Sequence, residues 1–245
     1  MTTGRIRQEP SLPGLQARHV SQRSTFFRPF PDPRRLLSER CRDLLLPVGV
    51  VAYKKFDPRF DHAVLIALPV EPESDYLGSG REAVQYHTES CRENWLGYSL
   101  KRSGLWDVDC DLRFFEKHAP GHGDLMDDHY AAIHARFAKA KAYFKEHGCL
   151  QYHLHLPPDG TYSDEPLMSL GGRTPCGQNW DAYDDTLERL NEGTDEEDIV
   201  IRNRAGHRYQ YIGTVTEYLF KGCGDTAHFF YEPRSKNVRL VVDYS

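Results

Sequence analysis

Residues 209–244 read YQYIGTVTEYLFKGCGDTAHFFYEPRSKNVRLVVDY. Within this run Tyr209–Thr216, Glu217–Lys221, Ala227–Tyr231 and Val238–Tyr244 are rich in aromatic and β-branched side chains, which suit a pleated, half-buried surface. The last two segments are joined by Glu232-Pro233-Arg234-Ser235-Lys236-Asn237, a turn-rich link that favours antiparallel neighbours. The spacing predicts four consecutive strands in a meander.

Upstream of this run the pattern is mixed. Asp32-Pro33 is a helix start, with Asp able to cap and Pro preset for the first helical position, and Leu36, Leu37, Cys41, Leu44 and Leu45 recur on one face before Pro47. Val48–Phe56 and His62–Val70 are apolar, β-branched runs joined by a turn-like Asp57-Pro58-Arg59-Phe60-Asp61, the signature of a hairpin. Val84, Thr88, Cys91, Trp95 and Tyr98 step by helical spacings and predict a helix ending near Gly104, followed by a strand over Cys110–Glu116. The clearest helix is capped by Asp127 or Asp128. It carries Tyr130, Ile133, Phe137, Ala140 and Phe144 as its apolar stripe, and Gly148 supplies a left-handed end. Leu150–Leu156 alternates as a strand, and residues 161–198 are loop-rich and acidic. Helices early, strands late and no regular alternation between them predict an α+β fold, mainly antiparallel sheet with helices packed against it. Residues 1–28 read as a flexible basic arm and 29–245 as a single domain, with a sub-boundary near 157–165.

Charge is unevenly spread behind the net value of −5. Residues 1–42 hold nine arginines against Glu9, Asp32 and Glu39, while residues 181–198 hold nine carboxylates against Arg189 alone. The basic arm lacks interleaved aromatic stacking partners and is not read as a nucleic-acid binder. Apolar runs such as Ala63–Val70 are strand-sized, far short of the roughly 18 residues a membrane span needs, so no membrane partner is expected. The polar, Arg-rich start has no secretory apolar stretch, which predicts a cytoplasmic protein with reduced, mostly buried cysteines.

No GxSxG, GxxxxGK[ST], GxGxxG or CxxC motif occurs, so neither catalytic residues nor a cofactor are expected. His153-Leu154-His155 would place two imidazoles on one face of a strand, a weak candidate metal pair to which His118, His122 or Cys149 could add, and an alternative reading as a metal-dependent hydrolase rests on it. The spacing equally suits a strand whose wet face carries two histidines. His129, His134 and His147 do not line up as ligands and read as solvated; Cys149 beside His147 is a minor nucleophile candidate. Asp181, Asp184 and Asp185 are read as a solvated face in preference to a metal cluster. Trp180, Asp181, Tyr183, Asp184, Asp185 and Glu188 together combine charge that steers a basic partner with aromatic anchors, and predict a protein-binding surface.

Leu170-Gly171-Gly172-Arg173-Thr174-Pro175-Cys176-Gly177-Gln178-Asn179-Trp180, with Tyr211-Ile212-Gly213, His228-Phe229-Phe230-Tyr231-Glu232-Pro233 and Val241-Val242-Asp243-Tyr244, resembles bacterial YwqG-like and related immunity-type proteins. The resemblance covers about the last 80 residues. It implies an immunity protein that binds and neutralises a cognate toxin in interbacterial competition of the type VI secretion kind, and the acidic segment is the electrostatic match for a basic toxin. It brings no catalytic residues.

Overall fold

The computed structural model describes residues 18–71, 76–119, 123–150, 166–176, 178–182, 187–194, 197–222 and 224–244. In chain order the strands are β1 (Arg18–Val20), β2 (Phe27–Pro29), β3 (Leu45–Ala52), β4 (Ala63–Pro69), β5 (Trp95–Leu100), β6 (Trp106–Val108), β7 (Met168–Leu170), β8 (Glu188–Leu190), β9 (Asp198–Val200), β10 (Gln210–Thr216), β11 (Thr226–Glu232) and β12 (Asn237–Asp243). The helices are α1 (Pro33–Leu36), α2 (Gly123–His147), α3 (Asn179–Ala182) and α4 (Tyr218–Lys221). All strand pairs are antiparallel, in a seven-stranded sheet of order β1-β7-β10-β11-β12-β5-β6, a three-stranded sheet β2-β3-β4 and the hairpin β8-β9. The fold is α+β.

The 209–244 run forms the centre of the large sheet, as β10-β11-β12. Side chains alternate across a strand, so Ala227, Phe229 and Tyr231 face one core while Phe230 faces another; likewise Val238, Leu240 and Val242 oppose Val241. Every residue of β12 is buried. A strand covered on both faces has no wet side to encode, which is why these segments read as continuous apolar runs. Gly213 opens a bulge in β10 at φ 146°, where a Cβ would lie 2.0 Å from the Ser169 carbonyl of β7; only glycine allows the two strands to approach this closely.

The larger core lies between this sheet and β2-β3-β4. Tyr98 of β5 donates its hydroxyl hydrogen to the Leu65 carbonyl at 2.8 Å and accepts from the Ala67 amide at 3.2 Å, bonding the large sheet to β4. Tyr231 bonds His62 and packs edge-on against Tyr53, 4.9 Å between centroids. The Phe27 ring lies directly on Gly49, with no room for a Cβ, and Pro47 sits in β3 at a register shift, where a missing amide is tolerated. The stripe of α2 closes the core from outside: Phe137 and Phe144 pack on Phe30 at 5.5 and 5.3 Å. Gly148 takes the left-handed conformation at φ 74° and returns its amide to the Phe144 carbonyl at 2.8 Å, ending α2 as expected.

Several expected elements differ. Asp32 caps a helix, but one of only four residues, and Leu44 and Leu45 run into β3 instead. The 48–56 and 62–70 hairpin is present as β3-β4. The helix expected over 84–98 is replaced by one 3-10 turn and β5: Thr88 Oγ1 accepts from the Ser90 and Cys91 amides, and Asn94 is left-handed at φ 64°, so the chain is turned before it extends. Cys110–Glu116 is not a strand. Asp111 caps a 3-10 turn there by accepting from the Arg113 amide, and the strand lies earlier, at β6. Glu217–Lys221 contains α4, not a strand. Within the stretch expected to be a basic arm, residues 18–20 are a strand instead and another strand begins at 27: β1 pairs with β7 and β2 with β3. His129 and His134 are not simply solvated: their Nε2 atoms meet the Val70 and Asp43 carbonyls at 3.4 and 2.9 Å. The expected strand 150–156 and the sub-boundary at 157–165 fall almost entirely outside the described residues.

Candidate interaction surface

Beyond β7 the chain crosses to the second face of the large sheet. Gly171 and Gly172 are both left-handed, and the Gly171 amide donates to the Ile212 carbonyl at 2.8 Å, so the segment leaves the sheet in a tight turn. It returns as α3, where the Trp180 amide donates to Asp243 Oδ1 at 3.1 Å. The indole packs against Trp95, His228 and Phe230, at 6.4, 5.6 and 5.7 Å between centroids. With Ile199, Ile201, Tyr209 and Val241 these side chains form a second, smaller core.

Trp180 is only 4% exposed and Asp181 only 1%, so neither stands on a contact surface, contrary to the sequence expectation. An indole beside a carboxylate looks the same in sequence whether it anchors a partner or closes a core. Asp181 accepts from the Gln178 amide at 2.7 Å and from Arg189 at 2.9 Å, and Arg189 also reaches the Asp181 carbonyl at 2.6 Å. A guanidinium holds five donors in a fixed plane, so it can join α3 to β8 in this way while binding a second carboxylate, that of Glu197, at 2.9 Å. Glu197 in turn accepts from the Gly193 amide at 3.1 Å. That backbone donor and then Arg189 hold its carboxyl below the usual range, while Glu197 and Asp181 push Arg189 upward. Two further arginines arrive from beyond the segment: Arg202 on Glu188 at 2.8 Å and Arg208 on Asp198 at 2.6 Å.

In its described residues the acidic run is therefore an internally braced hairpin, β8-β9. Its root is buried through Ile199 and Val200, while its outer parts face solvent: Glu188, Leu190, Asn191, Glu192, Gly193 and Thr194 are exposed. Leu190, at 37%, is one of three large apolar side chains exposed to that degree among the described residues. Of the six expected contact residues, Glu188 is on the surface, Trp180 and Asp181 are not, and Tyr183, Asp184 and Asp185 lie outside the described residues. His153, His155 and His122 also lie outside them. His118 is exposed, and local desolvation together with the neighbouring Lys117 lowers its pKa. Among the described residues no group of three His, Cys, Asp or Glu side chains could hold a metal ion, and no helix is long and apolar enough to cross a membrane.

Sequence reasoning missed the polar cluster beneath Trp180. His228 is 1% exposed, with Nδ1 3.1 Å from Thr214 Oγ1, which is itself bonded to the Tyr211 hydroxyl. Burial lowers the pKa of this imidazole to about 4, leaving it neutral at physiological pH, and its Nε2 has no hydrogen-bond partner among the described residues. The one available signal was a lone histidine inside an aromatic strand. Neither a protein-family model, a curated protein nor a solved structure matches the chain.

Proposed function

We propose that the protein acts by binding, as an immunity-type protein that neutralises a basic protein partner, with the β8-β9 hairpin and its acidic flanks as the contact surface. The observation that carries this reading is the hairpin's construction: a root fixed by Arg189 and the small core, and an outer face offering Glu188, Leu190 and Glu192 to solvent. Such a projection loses little conformational freedom when it docks, and carboxylates around an exposed leucine combine electrostatic steering with apolar contact. The neighbouring carboxylates at 184, 185, 195 and 196 extend the same sign of charge along the chain. A toxin with a basic working surface, such as a nuclease, is the complementary partner, and the C-terminal resemblance to immunity-type proteins favours the same class.

The test is co-purification of the tagged protein from cells that also express the genes adjacent to its own, combined with survival of those cells. The expected result is one stoichiometric basic partner whose toxicity is suppressed. Capture should weaken at least tenfold in a Glu188→Lys, Glu192→Lys, Leu190→Ala variant and weaken further with added salt. Capture and protection that are unchanged in that variant would sink the hairpin as the contact surface.

A further inference from the structure

A second surface, far from the hairpin in sequence and opposite in charge, lies where Arg23–Leu36 crosses the C-terminal part of α2. The Ser24 hydroxyl accepts from the Phe27 amide at 3.1 Å and turns the chain into β2, and Phe30 then ends that strand in the left-handed region at φ 45°. A non-glycine residue held there costs on the order of 1 kcal/mol or more and persists only where its surroundings enforce it. Here the enforcement comes from the ring, which is packed among Phe137, Phe144 and Phe220. The result is a groove of about 390 Å³ with Phe30, Leu36 and Phe144 as its apolar floor and Arg23, Arg28 and Arg35 around it.

The charges in this groove do not cancel. Asp32 is the single carboxylate in the lining; it caps α1 through the Arg34 amide at 3.0 Å and stands 3.8 Å from Arg35. Among the described residues no carboxylate forms an ion pair with Arg23 or Arg28. Guanidinium groups match the oxygens of phosphate in a planar, two-pronged fashion, and a fixed aromatic and proline-framed floor suits a flat apolar body. The volume falls within the about 300–1,000 Å³ typical of small-molecule sites.

From this combination we infer that the Arg23–Arg28–Arg35 groove binds an aromatic phosphate, a small molecule of the nucleoside monophosphate or aryl phosphate class. The phosphate lies on Arg23 and Arg28, and the ring lies over Phe30 and Phe144. The inference is independent of the hairpin and of what it contacts.

Isothermal titration of the full chain at low salt with adenosine monophosphate, phenyl phosphate, adenosine and inorganic phosphate tests it. At least one aromatic phosphate is expected to bind with a Kd below about 1 mM, at least tenfold tighter than either adenosine or inorganic phosphate. Arg23→Ala with Arg28→Ala should weaken it tenfold or more, and Arg35→Ala less. These side chains are exposed, so an unchanged thermal midpoint confirms that the variants fold. Absence of binding by both aromatic phosphates, affinity unchanged in the double variant, or inorganic phosphate binding as tightly as the aromatic compounds would each overturn the assignment.

Discussion

His228 is neutral in the fold because the small core seals it from water, and this has a consequence for stability. An exposed histidine titrates near 6.5, whereas burial holds this one at about 4. Between those values the unfolded chain takes up a proton that the folded chain refuses. The stabilisation is therefore complete above about pH 6.5 and is lost progressively as pH falls toward 4. Glu71 and Glu217 have their pKa values raised by burial, so they act in the opposite direction, losing stabilisation as pH rises through the carboxylate range. The clean readout is thus a difference. Between pH 7 and pH 5 a His228→Gln variant should lose about 1–2 kcal/mol less stability than the parent, measured by denaturant unfolding at both values. Equal losses would place the imidazole in contact with water. At this scale the sequence was legible where a residue acts on its own backbone, as Asp32 does by capping and Gly148 by its left-handed turn. It was illegible for Trp180 and Asp181, because burial depends on chain far away: Trp95, His228 and Phe230 pack on that indole, and Asp243 holds its backbone amide.

Among the elements, α4 is the instructive error. Its composition of Tyr, Leu and Phe argues for a strand, yet Glu217 and Lys221 stand four apart with the acid first, the favourable order on a helix, and Gly222 follows at φ 72° as the left-handed end. Those two signals outweigh local β preference once the neighbouring strands are placed. Both charged side chains are fully buried, 3.2 Å apart, and Lys221 also donates to the Pro69 and Glu71 carbonyls. Removing one member of a buried pair strands the other without solvent. Glu217→Gln and Lys221→Met should each cost about 3–5 kcal/mol, and the double variant should cost less than the two combined, by about 1–3 kcal/mol. Additive losses in urea midpoints would mean that the two charges do not hold one another. The helix expected over 84–98 failed for a related reason: its spacing was helical, but Thr88 and Asn94 supply turns that interrupt it. The stripe of α2 was legible because it repeats over many turns, so no single local interaction could override it, but its start was not: the helix begins at Gly123, which puts Asp127 and Asp128 inside it and not at its cap.

For the whole molecule, the α+β class was legible from the placement of helices and strands along the chain, but the order of strands was not. β1 lies beside β7 and β12 beside β5, pairings whose partners are separated by more than a hundred residues and leave no local trace. The first of these pairings shows that the chain from Arg18 belongs to the folded body. Relative to a protein that begins at residue 18, one that begins at residue 31 loses β1, β2 and the rings of Phe27 and Phe30. It should be less stable by at least about 3 kcal/mol, the cost typical of deleting one buried phenylalanine side chain; equal midpoints for the two truncations would remove β1 and β2 from the cooperative unit. The same long-range order governs how the protein is made. β3-β4 and α2 can form from neighbouring chain as it leaves the ribosome, but β5-β6 must wait for β12, which emerges after every other described strand and then enters the middle of the sheet, between β11 and β5. Until then the future sheet exists as two pieces with open, hydrogen-bonding edges. The protein is thus most exposed to chaperone capture and to misassociation until β12 has been made.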